Sequence, residues 1–103
     1  ERVKVFSAYQ NGRLTIYLTG ELDHHRAKEV MAALDRQIDL VLPVRLTVDL
    51  SELTFTDSSG IAVLLRTWRH IQEIGGRMLV TGAPDQARRV FQAAGLDKLI
   101  PFA

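Results

Sequence analysis

The stretch TDSSGIAVLL, Thr56–Leu65, sets a carboxylate, two hydroxyls and a glycine directly against an apolar run. Beyond it, Ile61, Leu64, Leu65, Trp68 and Ile71 recur at helical spacing, and Gly75-Gly76 supplies the left-handed conformation that closes a helix. Before it, Val44, Leu46, Val48 and Leu50 share one side of a strand predicted over 44–50; after it, RMLVT (77–81) reads as another. A strand, a polar loop, a helix and a further strand form the repeating unit of a parallel sheet joined by right-handed crossovers.

Outward from this unit the pattern continues. Residues 3–9 read as a strand, Asn11-Gly12 as a hairpin turn, and Leu14, Ile16 and Leu18 alternate with Thr15 and Tyr17 in a second strand that Gly20 is expected to end. From Asp23, with that residue or a neighbour as cap, Ala27, Val30, Met31, Leu34 and Ile38 fall on one helical face, and Pro43 separates this helix from the next strand. Gly82-Ala83-Pro84 leads into a last helix with Ala87, Val90, Phe91 and Ala94 inward, ended by Gly95, and 100–102 form a short final strand. The expected order is β-β-α-β-α-β-α-β. It describes one α/β domain over 1–103, a mixed, mostly parallel sheet with an N-terminal β-hairpin and helices packed on it. Strand-to-helix loops of such a sheet emerge at one edge, so 20–25, 54–60 and 81–85 should meet on a single rim.

Composition narrows the function classes. The chain has 103 residues, 47% hydrophobic and 24% charged, suited to one soluble domain with a modest core. With no cysteine, disulfides and thiolate metal sites are excluded and a reducing cytoplasm is allowed. No apolar run approaches the roughly 20 residues of a membrane span, so no membrane partner is expected. Arg66, Arg69, Arg77, Arg88 and Arg89 interleave with Glu73 and Asp85 at a net charge of +1, so no nucleic-acid partner is expected either.

Ser58 and Ser59 are the chemical centre of the opening stretch. One hydroxyl is expected to cap the helix. The other would face solvent, where a phosphate meets free backbone N–H groups and the positive end of the helix dipole. Phosphorylation there would add about 1.5 to 2 negative charges without unfolding the domain. A serine hydrolase is disfavoured, because a nucleophile elbow needs glycine two places before the serine and Thr56 stands there. His70 lies about three turns farther along the same helix, with no third group to orient it. His24 and His25 beside Asp23 suggest a metal, yet neighbouring helical side chains diverge by about 100° and are expected not to share one. Glu21 and Asp23 as paired catalytic carboxylates lack a substrate pocket. A receiver-like layout is loosely echoed by Asp49, Thr81 and Lys98, but the acidic pair after a first parallel strand is missing. No glycine-rich run ends in Lys-Ser or Lys-Thr, so no nucleotide cofactor site is read.

Four segments carry more than spacing: LTGELDHHRA (18–27), LTFTDSSGIAVLL (53–65), IGGRMLV (74–80) and GLDKLIPF (95–102). Together, in order and over essentially the whole chain, they resemble the anti-sigma-factor antagonist family, whose fold is the STAS domain. GELDHH is most similar to its sporulation branch, which acts on the forespore sigma factor. The resemblance implies a cytoplasmic, non-enzymatic module, monomeric when free and without a cofactor. Its unphosphorylated form would bind an anti-sigma factor that is itself an ATP-dependent serine kinase, and so free the sigma factor. The kinase would phosphorylate the serine after the motif aspartate, Ser58 here, ending the interaction until a serine phosphatase restores it. By the same resemblance Ser59 is the structural serine near the cap, Gly60 lets the partner's backbone approach, and Glu21, Asp23 and Asp57 belong to the recognition surface. Two other readings are a stress-response or sensory STAS module with another kinase, and a receiver-like domain accepting phosphate on Asp49. The chain departs from the family pattern where Ala62 and Arg66 replace frequent glycines. A C-terminal helix usual in the family has no counterpart before Ala103.

Overall fold

A computed structural model describes residues 1–103. Strands β1 (Lys4–Gln10) and β2 (Arg13–Leu22) form the N-terminal hairpin. Both turn residues have positive φ, Asn11 at 51° and Gly12 at 81°, which is what a two-residue turn between twisted strands demands. Next come α1 (Ala27–Val41), β3 (Arg45–Asp49), β4 (Leu53–Thr56), α2 (Ser59–Glu73), β5 (Arg77–Thr81), α3 (Asp85–Ala93) and a 3₁₀ turn, Leu96–Lys98. The strand order is β1-β2-β3-β5, antiparallel in the hairpin and parallel thereafter, with β4 pairing in parallel with the far end of β2.

One face of this sheet makes the core. Leu14, Ile16 and Leu18 of β2, Leu46 and Val48 of β3, and Met78 and Val80 of β5 are buried against Val30, Leu34 and Ile38 of α1 and Val63, Leu64 and Ile71 of α2. Each such side chain removed from water stabilises the fold by roughly 1.5–3 kcal/mol before conformational entropy is counted. Residues alternating with them on the strands point to the opposite, solvated face.

The architecture agrees with the mixed, mostly parallel sheet and leading hairpin expected from the sequence, and the differences are local. Strand β2 passes through Gly20 to Leu22: it pairs with β3 as far as Tyr17 and with β4 from Gly20, and its register on β4 shifts between Gly20 and Glu21. Gly20 has φ 84°, and a Cβ there would come within 2.7 Å of the Arg2 carbonyl oxygen, so glycine permits the bend instead of ending the strand. Strand β4 is the extra element. Its inward residues, Leu53 and Thr56, flank two exposed ones, so four residues show no alternation. Val44 is exposed before β3 begins. Helix α1 starts at Ala27, after a turn in which Asp23 Oδ1 accepts the His25 N–H at 3.0 Å, so Asp23 caps the turn and not the helix. The final strand reduces to one bridge, Val80 to Phe102, and Ala94 is exposed beyond α3.

Helices α1 and α2 are pinned by a polar network at their seam. The half-buried ring of His70 reaches Asp35 Oδ1 from Nδ1 at 2.9 Å and Asp39 Oδ1 from Nε2 at 2.8 Å, while Arg66 donates to Asp35 Oδ2 at 3.0 Å. Burial disfavours the charged ring, but hydrogen bonds and charge from both aspartates outweigh it and raise the His70 pKa above its ordinary 6.5. A neutral imidazole has one N–H and can serve only one carboxylate. The stabilisation is therefore fully present below pH 6.5 and is lost as pH rises through the raised folded-state value. We expect the thermal midpoint to fall over that window and the His70→Gln protein to lose this dependence; a wild-type midpoint flat across it would refute the assignment.

Candidate functional site

The three loops expected at one rim do meet there, and Asp57 joins two of them. Its Oδ1 accepts the Ser59 N–H at 2.8 Å at the start of α2, and its Oδ2 accepts the His24 N–H at 3.1 Å from the β2–α1 loop. The His24 ring nitrogen Nδ1 lies 3.6 Å from the same oxygen, and the Asp57 N–H donates to the Leu22 carbonyl at 3.2 Å. Gln86 of α3 joins the third loop: its side chain accepts from Thr56 N at 3.0 Å and donates to Thr56 O at 2.8 Å, continuing the pairing past the edge of β4.

This geometry reassigns the cap. Neither serine side chain caps α2; the Asp57 carboxylate does, through the Ser59 N–H. Partial burial opposes its charge, yet donors from Ser59 and His24 outweigh that and lower the Asp57 pKa below its ordinary 3.8. The group is thus a fixed negative charge at neutral pH. Ser58 follows it with an exposed side chain that makes no hydrogen bond, its carbonyl serving the first turn through the Ile61 N–H. Ser59 is half-buried beside it. Asp23, half-buried, and Glu21, exposed and paired in register with Phe55, stand on the adjoining loop and strand.

Gly60 is buried, and a Cβ there would overlap Thr56 Oγ1 and press on Phe91 Cε1 at 3.3 Å. The close approach that glycine permits at 60 is thus internal, between α2, β4 and α3. The rings of His24 and His25 do not diverge as helical neighbours would, because residues 24–26 form a turn; their centroids lie 3.9 Å apart. No cluster of three ligating side chains forms around them. Asp49 uses its Oδ1 on Ser51, accepting from the backbone at 2.9 Å and from the hydroxyl at 2.6 Å, which makes it a turn-forming residue. Gln86 was not singled out from sequence, and neither its bonds to Thr56 nor the contact of His24 with Asp57 was read there. Their roles depend on partners about 30 positions away, and no local pattern announces that.

Comparison with known proteins agrees with this frame. The family model described as the STAS domain matches residues 6–103. This chain belongs to the STAS domain family. It is similar to the anti-sigma F factor antagonist of Paenibacillus polymyxa, 33% identical over 94 residues covering 91% of this chain and 80% of that protein. The anti-sigma F factor antagonist of Lysinibacillus sphaericus is 32% identical over 83 residues, covering 81% and 71%. Among solved structures, the anti-sigma factor antagonist SpoIIAA in its unphosphorylated form superposes with a TM-score of 0.82 at 26% identity, over 99% of this chain and 88% of that one. The Bacillus cell fate determinant SpoIIAA in its phosphorylated form superposes with a TM-score of 0.73 at 26% identity, over 99% of this chain and 91% of that one.

Substitutions at two positions separate the roles of the loop. Gly60→Ala should destabilise the domain by about 1–3 kcal/mol through overpacking, read as a lower denaturation midpoint. Asp57→Ala should cost about 1 kcal/mol of cap energy while Asp57→Asn, which can still accept from Ser59, costs less. The Asp57 charge contributes stability above pH 3.8 that is lost as pH falls through its lower folded value, so Asp57→Asn should flatten the acid limb of unfolding.

Proposed function

We propose that this domain is an anti-sigma factor antagonist, a cytoplasmic binding module without catalysis of its own, switched by phosphorylation of Ser58. Its partner in this reading is an anti-sigma factor with serine kinase activity, and a serine phosphatase resets it. The observation that carries the proposal is the exposed, unbonded Ser58 hydroxyl at the mouth of α2, next to a carboxylate held ionised by its own hydrogen bonds. Glu21, Asp23, Asp57 and Ser59 make up the surrounding docking surface, and Gly60 supports it from beneath. Similarity to the F-type antagonists at 33% and 32%, against 26% for the anti-sigma-B factor antagonist of Listeria monocytogenes, favours the sporulation branch over a stress-response role.

The electrostatics explain why one phosphate suffices. A phosphate on Ser58 would enter a docked interface beside the Asp57 charge and near Asp23. Leaving a charge desolvated and unpaired in an interface costs about 3–5 kcal/mol, at least a hundredfold in affinity. The dipole of α2 offsets about 1 kcal/mol of this, so repulsion prevails. The modified rim itself stays folded, because no hydrogen bond of the cap involves the Ser58 hydroxyl.

The test incubates the protein with a purified anti-sigma kinase of its own organism and ATP, then locates the added mass by peptide mapping. The phosphate should fall on Ser58; Ser58→Ala should bind the kinase and remain unmodified, and Ser58→Asp should bind about a hundredfold more weakly. Ser59→Ala should still be modified. Normal phosphate uptake by Ser58→Ala would overturn the site, and equal binding by Ser58→Asp would overturn the switch.

A further inference from the structure

Parallel register places three arginines side by side. Arg13, Arg45 and Arg77 open β2, β3 and β5, and Arg13 pairs with Arg45 as Arg45 pairs with Arg77. The next residues, Leu14, Leu46 and Met78, are buried in the core, so the arginines point to the solvated sheet face, where all three are exposed. Neighbouring strands are about 4.8 Å apart, and like charges directly opposite destabilise a sheet. None of the ion pairs in the molecule involves these residues. On the same face the next position holds Thr15, Thr47 and Leu79, and the first acid beyond it, Asp49, is engaged by Ser51. At the ends of the two long helices, Asp39 is bonded to His70, and Glu73 makes no ion pair. The row is a repulsive arrangement with no internal compensation.

A second feature shares this end of the molecule. Leu40, Leu42 and Val44 are 77%, 61% and 71% exposed, the three most exposed large apolar side chains in the chain. Val44 sits against Gly12 beside Arg13, and the N–H groups of Val44 and Arg45 both donate to the Gly12 carbonyl. Leu42 has φ 46°, a left-handed helix-end position that favours glycine or asparagine. A leucine there is strained and solvent-exposed at once.

We propose that this end, opposite the Ser58 rim, is a docking surface for an anionic lipid bilayer. Lipid phosphates meet Arg13, Arg45 and Arg77, while Leu40, Leu42 and Val44 enter the headgroup layer. A row of cations beside protruding aliphatic side chains is the combination that interfacial binding uses, and it needs no spanning helix. No helix here is long and apolar enough to cross a membrane, and the lack of an expected membrane partner rested on spans alone. A second copy of this chain is a poorer occupant, because a symmetric contact would oppose arginine to arginine. Nucleic acid would use the arginines and leave the aliphatic cluster in water. The proposal is independent of the Ser58 switch, which lies at the other ends of the same strands.

Co-sedimentation with vesicles tests it. The protein should pellet with phosphatidylcholine vesicles containing phosphatidylglycerol, remain in solution with phosphatidylcholine alone, and be released by high salt. At about fivefold per charge, the combined Arg13→Gln, Arg45→Gln and Arg77→Gln replacement should weaken binding about a hundredfold at low salt. Leu42→Gly, which relieves the backbone strain and keeps the fold, should weaken it several-fold while the thermal midpoint holds or rises. Absence of binding to the anionic vesicles, or binding unchanged in the arginine variant, would overturn the proposal. So would equal affinity for a single-stranded oligonucleotide together with an unaffected Leu42→Gly protein, since that would make the occupant a nucleic acid.

Discussion

One carboxylate organises the functional end of this domain. Asp57 accepts the first free N–H of α2 and the N–H of His24 from the loop before α1. Two loops more than 30 positions apart are thereby clamped to one side chain, and the helix it caps delivers Ser58 to solvent. A charge satisfied by such donors resists protonation, which keeps the rim negative at neutral pH. Capping, loop alignment and electrostatic tone come from the same atoms, so Ser58 next to Asp57 never has to contribute to holding the helix.

Around this clamp the rest of the rim is built by exclusion. Gly60 lets α2 settle onto Thr56 and Phe91, and Gln86 completes the pairing of a strand only four residues long. These contacts are internal to the domain and fix where the exposed hydroxyl sits. The proposed switch, acting through charge, needs such a rigid mount: a phosphate on Ser58 would change what the surface repels and leave what the core packs unaltered. At the seam of α1 and α2, His70 bridging two aspartates supplies a second constraint, weakened as pH rises above 6.5, on the helices that carry both rim loops.

The two ends of the sheet thus carry opposite character. The carboxyl ends of the strands present Asp23, Asp57 and Ser58, and the amino ends present arginines 13, 45 and 77 beside exposed aliphatic side chains. With a formal net charge of +1 the chain looks unremarkable in composition, because its polarity is spatial and parallel pairing is what concentrates it.

Periodicity alone determined most of the elements: the hairpin at Asn11-Gly12, the buried rows of β2, β3 and β5, and the apolar stripes of three helices follow from local spacing, as did a polar helix start at Ser58. These features are legible because each depends on residues within one or two turns of one another. What only the tertiary structure decided depends on residues brought together from afar. Strand β4 is defined by its partner β2, since four residues with two exposed neighbours carry no pattern of their own. The cap passed from serine to Asp57 because both side chains suit the role and only the path of the chain chooses between them. Glycine at 60 serves packing within the domain because Phe91, 31 positions later, occupies its flank. The arginine row is invisible in sequence, since its members lie 32 positions apart and become neighbours only through strand register.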